Sequence, residues 1–128
     1  MTTPEAQRIL VVDDEPDIRR ILQLLLEKHG HAVTAVGNCQ EAIACVSRQE
    51  ARPFRVAIID IRLPDGSGVE VVKTVKQLSP QTICLVITAF PSGSVETDAR
   101  AAGADQYFTK PFSIEQLMSF IQQGTMSP

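Results

Sequence analysis

Three short apolar runs in this chain each stop at a residue that carries chemistry. Ile9-Leu10-Val11-Val12 stops at Asp13-Asp14, Val56-Ala57-Ile58-Ile59 stops at Asp60, and the run 83–87 stops at Thr88. An unbroken apolar run of this length, with no polar alternation, is the pattern of a strand buried on both faces. Such strands need cover above and below the sheet, so the segments between them decide the fold class.

Those segments switch to helical spacing. Pro16 suits the first turn of a helix, and Ile18, Ile21, Leu22, Leu25 and Leu26 follow on one face until Gly30. Residues 32–36 read as a second strand. Asn38 is the predicted N-cap of the next helix, with Glu41 completing a capping-box-like pattern and Ala42, Ile43 and Val46 forming its apolar face. Pro64, Gly66 and Gly68 mark a loop, and Val69, Val72, Val75 and Lys76 continue into a helix that ends near Ser79-Pro80. A flexible loop is expected over 91–94, a weak helix over 95–102 up to Gly103, and a short fifth strand at Gln106-Tyr107-Phe108. Ser113 caps a last helix through Ile121, and 124–128 reads as a loose tail. Five strands alternating with five helices imply an α/β fold with a parallel sheet covered on both faces. The 128 residues fit one domain, with a core over about 8–122.

Composition narrows the function classes. The chain is 44% hydrophobic and 21% charged, as in ordinary soluble domains, and its net charge is -3. Its basic residues are scattered. Arg19-Arg20 and the spaced set Arg48, Arg52 and Arg55 read as solvated faces, so direct nucleic-acid binding by this domain is not expected. Cys39, Cys45 and Cys84 form no CxxC pair and read as small hydrophobes in a reduced, cytoplasmic protein. No apolar run approaches the roughly 20 residues that span a bilayer, and the polar stretch 1–7 has no signal-peptide core, so no membrane association is expected. His29 and His31 flank Gly30 and are expected to face solvent, His29 at a helix C-terminus.

In open parallel sheets ligands bind beyond the carboxyl ends of the strands. Here those ends bring together Asp13, Asp14, Asp60 and Thr88, with Lys110 just after the fifth strand. Clustered carboxylates stay ionised only if a cation offsets their repulsion. An all-oxygen set that could also receive a phosphate favours Mg2+. One carboxylate could then attack a phosphoryl group, with Lys110 and Thr88 neutralising its oxygens. Taken singly, each residue has a plainer reading. An acidic pair after a strand can simply favour a helix N-terminus, and Glu15 and Asp17 are expected to have that role. Thr88 could be a routine strand-end threonine, Lys110 a surface lysine, and Tyr107 a core-edge aromatic.

The motifs Ile9-Leu10-Val11-Val12-Asp13-Asp14-Glu15, Ile58-Ile59-Asp60-Ile61-Arg62-Leu63-Pro64-Asp65-Gly66, Val86-Ile87-Thr88-Ala89 and Gly103-Ala104-Asp105-Gln106-Tyr107-Phe108-Thr109-Lys110-Pro111-Phe112 occur in order at the strand ends. Together they resemble the receiver domain of bacterial two-component response regulators, of the chemotaxis-regulator type, over about 8–122. The resemblance implies a flavodoxin-like, doubly wound fold with strand order 2-1-3-4-5. It implies that Asp60 is the phosphoacceptor, that Asp14 ligates Mg2+ directly and Asp13 through water, and that the Arg62 backbone carbonyl is a further ligand. It also implies that Thr88 and Lys110 hold the phosphoryl oxygens, that Tyr107 is an aromatic switch, and that Lys110–Pro111 is cis.

The implied activity is a signalling one. A phosphoryl group arrives from a phospho-His of a sensor histidine kinase or a phosphotransfer protein, and the chain catalyses only its own phosphorylation and dephosphorylation. Readout is expected on the face of helix four, strand five and helix five. Thr88 would move inward and Tyr107 would rotate into the vacated space, with Phe90 as a possible obstruction. An output domain or downstream protein, or a homodimer, would then read the change. Both a stand-alone regulator and a fragment of a longer regulator or hybrid kinase stay open, and the ending at Ser127-Pro128 is only a weak hint of a boundary. Three rival readings fit less well. A flavin-phosphate binder needs a Ser/Thr/Gly-rich first loop, where this chain has Asp13-Asp14-Glu15. An aspartyl-phosphate phosphatase resembles a pattern with a second acid two residues after the nucleophile, where this chain has Arg62. A docking module that is never phosphorylated would not need the complete set.

Overall fold

The computed structural model describes residues 7–48 and 53–126. Arg52, the N-terminal stretch before Gln7 and the final Ser127-Pro128 lie outside the described residues. The elements run β1 (Arg8–Val12), α1 (Pro16–Lys28), β2 (Ala32–Val36), α2 (Cys39–Ser47), β3 (Val56–Asp60), β4 (Arg62–Leu63), β5 (Gly66–Ser67), α3 (Gly68–Leu78), β6 (Ile83–Thr88), α4 (Gly93–Ala102), β7 (Gln106–Thr109) and α5 (Ile114–Met126). Five strands form one parallel sheet in the order β2-β1-β3-β6-β7. With the two-residue strands β4 and β5 set aside, that is the expected 2-1-3-4-5 order of a flavodoxin-like fold.

The period of two along each strand divides the core. Leu10, Val12, Ala57, Ile59, Cys84 and Val86 face one side, where Ala42 and Val46 of α2, Val71, Val72 and Val75 of α3, and Ala99 of α4 cover them. Ile9, Val11, Val56, Ile58, Leu85 and Ile87 face the other, under Leu22 and Leu26 of α1 and Leu117, Met118 and Ile121 of α5. All five residues of β3 are buried, which is why that strand reads as an unbroken apolar run up to its terminal acid.

Local chemistry sets the element boundaries. Asn38 caps α2 by accepting from the Glu41 amide at 2.8 Å, and the Glu41 carboxylate accepts in return from the Gly37 amide at 3.3 Å. Ser67 Oγ caps α3 and Ser92 Oγ caps α4, the latter by accepting from the Val95 amide at 3.2 Å. Because Ser92 is the cap, α4 begins at Gly93, two residues before the expected start at Val95. Gly103 ends α4 with φ +116°, a left-handed conformation open to glycine at little cost. The last helix passes Ile121 and continues to Met126, so 124–126 is helical where a loose tail was expected.

Pro64 and the following glycines form more than a loop. Arg62 pairs with Ser67 and Leu63 with Gly66 in a small antiparallel ribbon immediately after Asp60. The ribbon leads directly into Gly68, whose backbone passes so close to Asp60 that any side-chain Cβ would overlap the Asp60 carbonyl. Glycine is therefore required there by close approach. His29 is exposed, with Nδ1 2.9 Å from the Leu25 carbonyl, as expected for a helix C-terminus. His31 is half-buried, not solvent-facing, and its Nδ1 accepts from the Gln7 amide at 3.4 Å. Among the described residues no helix is long and apolar enough to cross a membrane.

Candidate functional site

The carboxyl ends of β1, β3 and β6 and the residue after β7 meet above the sheet. Register accounts for this: Val12 lies beside Ile59, Asp60 beside Ile87, and Thr88 beside Thr109. The next residue along β1 is therefore Asp13, and the next after β7 is Lys110. The Lys110 amide donates to the Thr88 carbonyl at 2.7 Å, so the lysine backbone is tied to the end of β6. The Lys110–Pro111 peptide bond is cis.

The Lys110 ammonium lies 2.9 Å from Asp60 Oδ2, 2.9 Å from Glu15 Oε1 and 3.1 Å from Asp13 Oδ2. Burial works against the charge on Lys110, but the bonds to Glu15, Asp60 and Asp13 outweigh it and hold the ammonium above the ordinary lysine range. Asp60 is buried, and its other oxygen accepts from the Arg62 amide at 3.1 Å. Asp13 is fully enclosed. Its Oδ1 accepts from the Glu15 amide at 2.9 Å. Its Oδ2 is close enough to Lys110 for an ion pair but has no hydrogen bond of acceptable angle, so it is a buried carboxylate oxygen with unspent acceptor capacity. Burial raises the Asp13 pKa, the Asp60 charge adds to the rise, and the Glu15 amide and Lys110 offset part of it. From behind, the Arg19 guanidinium donates to the Asp13 carbonyl at 2.8 Å and holds that stretch of backbone.

Asp14 stands apart from this group. It is exposed and lines the open cleft beside the cluster, with Glu15, Asp60, Arg62, Ala89 and Lys110 among its neighbours. The cleft has a volume of about 380 Å³, room for a phosphoryl group together with several waters at roughly 30 Å³ each. Among the described residues, the three acidic groups whose carboxylate oxygens all come within 4.8 Å of one another are Asp13, Glu15 and Asp60. Glu15 was expected only to favour the helix N-terminus. It occupies the N-cap of α1 but makes no side-chain cap, and its carboxylate goes to Lys110. Glutamate is a poor capping residue, and that mismatch was the one sequence signal for a role elsewhere.

Thr88 is buried, and its hydroxyl oxygen accepts from the Phe90 amide at 3.1 Å. Phe90 does not crowd the interior. It is 63% exposed, and its ring lies under the Arg62 guanidinium with 4.5 Å from carbon to centroid. Tyr107 is half-buried against the core on the α2, α3 and α4 side, and its hydroxyl is enclosed with no hydrogen-bond partner among the described residues. The expected rotation of Tyr107 toward the interior thus does not begin from a solvent-exposed ring. Arg62 follows Asp60 by two residues in the ribbon, with its side chain on the cleft wall.

An all-oxygen group of this kind suits a hard cation. The fit rests on two observations: one ammonium faces the carboxylates of Asp13, Glu15 and Asp60, and the buried Asp13 Oδ2 is ion-paired with that shared ammonium but has no hydrogen bond among the described residues. The family model described as response regulator receiver domain matches residues 9–122. The chain belongs to that family. The receiver is 37% identical over 115 residues to the response regulator protein PilR of Pseudomonas aeruginosa, covering 90% of this chain and 25% of that protein. It is similar to the CheY-like response regulator receiver domain protein of Methanospirillum hungatei (TM-score 0.89, 29% identity, 95% of each chain). It is also similar to a response regulator from Burkholderia pseudomallei solved with a phosphorylated aspartic acid and a calcium ion (TM-score 0.83, 28% identity, 94% of this chain and 69% of that one). The receiver spans 25%, 46% and 50% of three of the curated relatives it matches, half their length or less. The family is one of signalling domains that accept a phosphoryl group.

Proposed function

We propose that Asp60 is the phosphoacceptor and that the cleft above it is where the phosphoryl group arrives. The observation that carries this reading is the Lys110 ammonium, 2.9 Å from Asp60 Oδ2 and shared with Asp13 and Glu15. An ammonium so placed can pair with a phosphoryl oxygen at the moment charge develops there. The Asp60 carboxylate oxygen attacks phosphorus in line with the leaving imidazole. The new O–P bond gives an acyl phosphate as the P–N bond breaks and its electron pair returns to the imidazole nitrogen. The Thr88 hydroxyl, now an acceptor for the Phe90 amide, can donate to a phosphoryl oxygen instead.

Asp13 and Asp60, with Asp14 on the cleft wall and the backbone carbonyl of Arg62, would hold Mg2+, and Glu15 offers a further oxygen. The ion would supply positive charge to the phosphoryl oxygens. Water reaching the same acyl phosphate would hydrolyse it, so the receiver would catalyse only its own phosphorylation and dephosphorylation. The donor class is a phospho-His of a sensor kinase or phosphotransfer protein in the cytoplasm. An output domain, a downstream protein or a second copy of the chain would read the phosphorylated state.

The direct experiment is mass spectrometry after incubation with acetyl phosphate and Mg2+. The wild-type chain should gain one phosphoryl group and Asp60→Asn none, because an amide is a far poorer nucleophile than a carboxylate. A gain retained in Asp60→Asn places the acceptor elsewhere. No gain in the wild type leaves the docking-module reading.

A further inference from the structure

The ribbon that follows Asp60 is clasped from outside by a residue the phosphoryl chemistry does not use. Asp65 sits on the exposed turn of the ribbon, and its two carboxylate oxygens reach across to the first turn of α2. Oδ1 accepts from the Cys39 amide at 2.8 Å and Oδ2 from the Gln40 amide at 3.0 Å. The amides at the start of a helix have no partner within it and carry its positive end, so an anion bound there is held by charge as well as by hydrogen bonds. Those two amides hold the Asp65 carboxyl below the usual carboxylate range.

The cap on α2 does not by itself require Asp65, since Asn38 already serves that helix through the Glu41 amide. The carboxylate instead joins two elements that sequence leaves 25 residues apart or more. The contact is continued on either side. Cys39 Sγ lies 3.5 Å from the Ser67 carbonyl, and a Cβ on Gly66 would stand 3.4 Å from that sulfur. Leu63 buries one strand of the ribbon in the core, and Gly68 presses its exit against Asp60. The turn between, which projects into solvent, has Asp65 as its tie to the body of the fold.

We infer that Asp65 is a positioning residue for the metal-binding edge of the site: by clasping α2 it holds the ribbon, and with it the Arg62 carbonyl, in place beside Asp60. This rests on the reading of that carbonyl as a Mg2+ ligand. Outer-shell partners of metal ligands commonly change affinity by about 10–100-fold when removed. The loss of Asp65 should therefore appear in Mg2+ affinity, while the phosphoryl step, run by Asp60 and Lys110, keeps its rate once Mg2+ is saturating.

The test titrates Mg2+ into the wild type, Asp65→Ala, Asp65→Asn and Asn38→Ala. Amide chemical shifts are followed without phosphodonor, and the rate of phosphorylation by acetyl phosphate is measured at each Mg2+ concentration. Asp65→Ala should raise half-saturating Mg2+ by about tenfold, leave the rate at saturation within about twofold, and speed amide exchange at Cys39 and Gln40. Asp65→Asn keeps one acceptor oxygen and should fall between, and it carries the comparison if the alanine variant does not fold. Asn38→Ala loosens the same helix start without touching the ribbon, and its Mg2+ affinity should match the wild type. Unchanged Mg2+ affinity in the Asp65 variants, or an equal loss in Asn38→Ala, overturns the inference while leaving Asp60 phosphorylation standing. A wild type that binds no Mg2+ overturns both.

Discussion

Asp13 shows how one buried acid can tie stability to pH. Its carboxyl is enclosed, one oxygen lacks a hydrogen bond, and burial raises its pKa above the ordinary value near 3.9. The native state therefore binds that proton more tightly than the unfolded chain. Stability is greatest with Asp13 protonated and falls as pH rises through the raised pKa. Lys110 is shifted in the same direction, at a much higher pH. Its contribution is complete below the unfolded lysine value near 10.4 and is lost only as pH rises through its higher folded value, so it adds no slope around neutrality. In the presence of a chelator, the Tm of the wild type should decline relative to Asp13→Asn as pH rises above the ordinary aspartate value near 3.9. Asp13→Asn should be the more stable at pH 7 by about 1 kcal/mol, since it relieves a buried charge while Lys110 keeps Asp60 and Glu15. Parallel Tm curves for the two proteins would refute this.

At the level of elements, α4 is thinly anchored to the core. Ala99 is the one residue of α4 that is fully buried, and the exposed Glu96–Arg100 pair adds about 0.3–0.5 kcal/mol. The enclosed Tyr107 hydroxyl lacks a partner among the described residues, a state that costs about 1–3 kcal/mol. An arrangement that gives that hydroxyl an acceptor would recover part of the cost, and a shift of Thr88 toward a phosphoryl oxygen would release the Phe90 amide next to α4. Phosphorylation at Asp60, as proposed, should therefore favour an arrangement of this face in which that hydroxyl is bonded. Amide exchange measured with and without a beryllofluoride phosphoryl mimic should differ across 88–110 and much less across β1. Equal protection of 88–110 in both states would remove this face from the switch.

At the scale of the whole molecule, the acidic edge is a stability cost that a cation can relieve. Asp13, Glu15 and Asp60 share one ammonium, which leaves a surplus of negative charge at neutral pH. Mg2+ at ten times its Kd should stabilise the native state by about 1.4 kcal/mol, and Asp60→Asn should reduce that gain. A Tm that does not move in excess Mg2+ would count against the metal site. Much of this molecule is legible along the chain. The apolar runs ending at Asp13, Asp60 and Thr88, with helical spacing between them, determine a parallel sheet with its acids on one edge, because side-chain periodicity and strand burial are local properties. Tertiary structure alone decides the rest. It turns Glu15 onto Lys110, leaves Asp14 on the cleft wall and lays Phe90 outward against Arg62. It also brings Asp65 to the amides of α2. In each case the partner lies on another element, and an exposed charge or ring is directed by whatever the packed sheet brings within about 3–5 Å, which no spacing along the chain encodes.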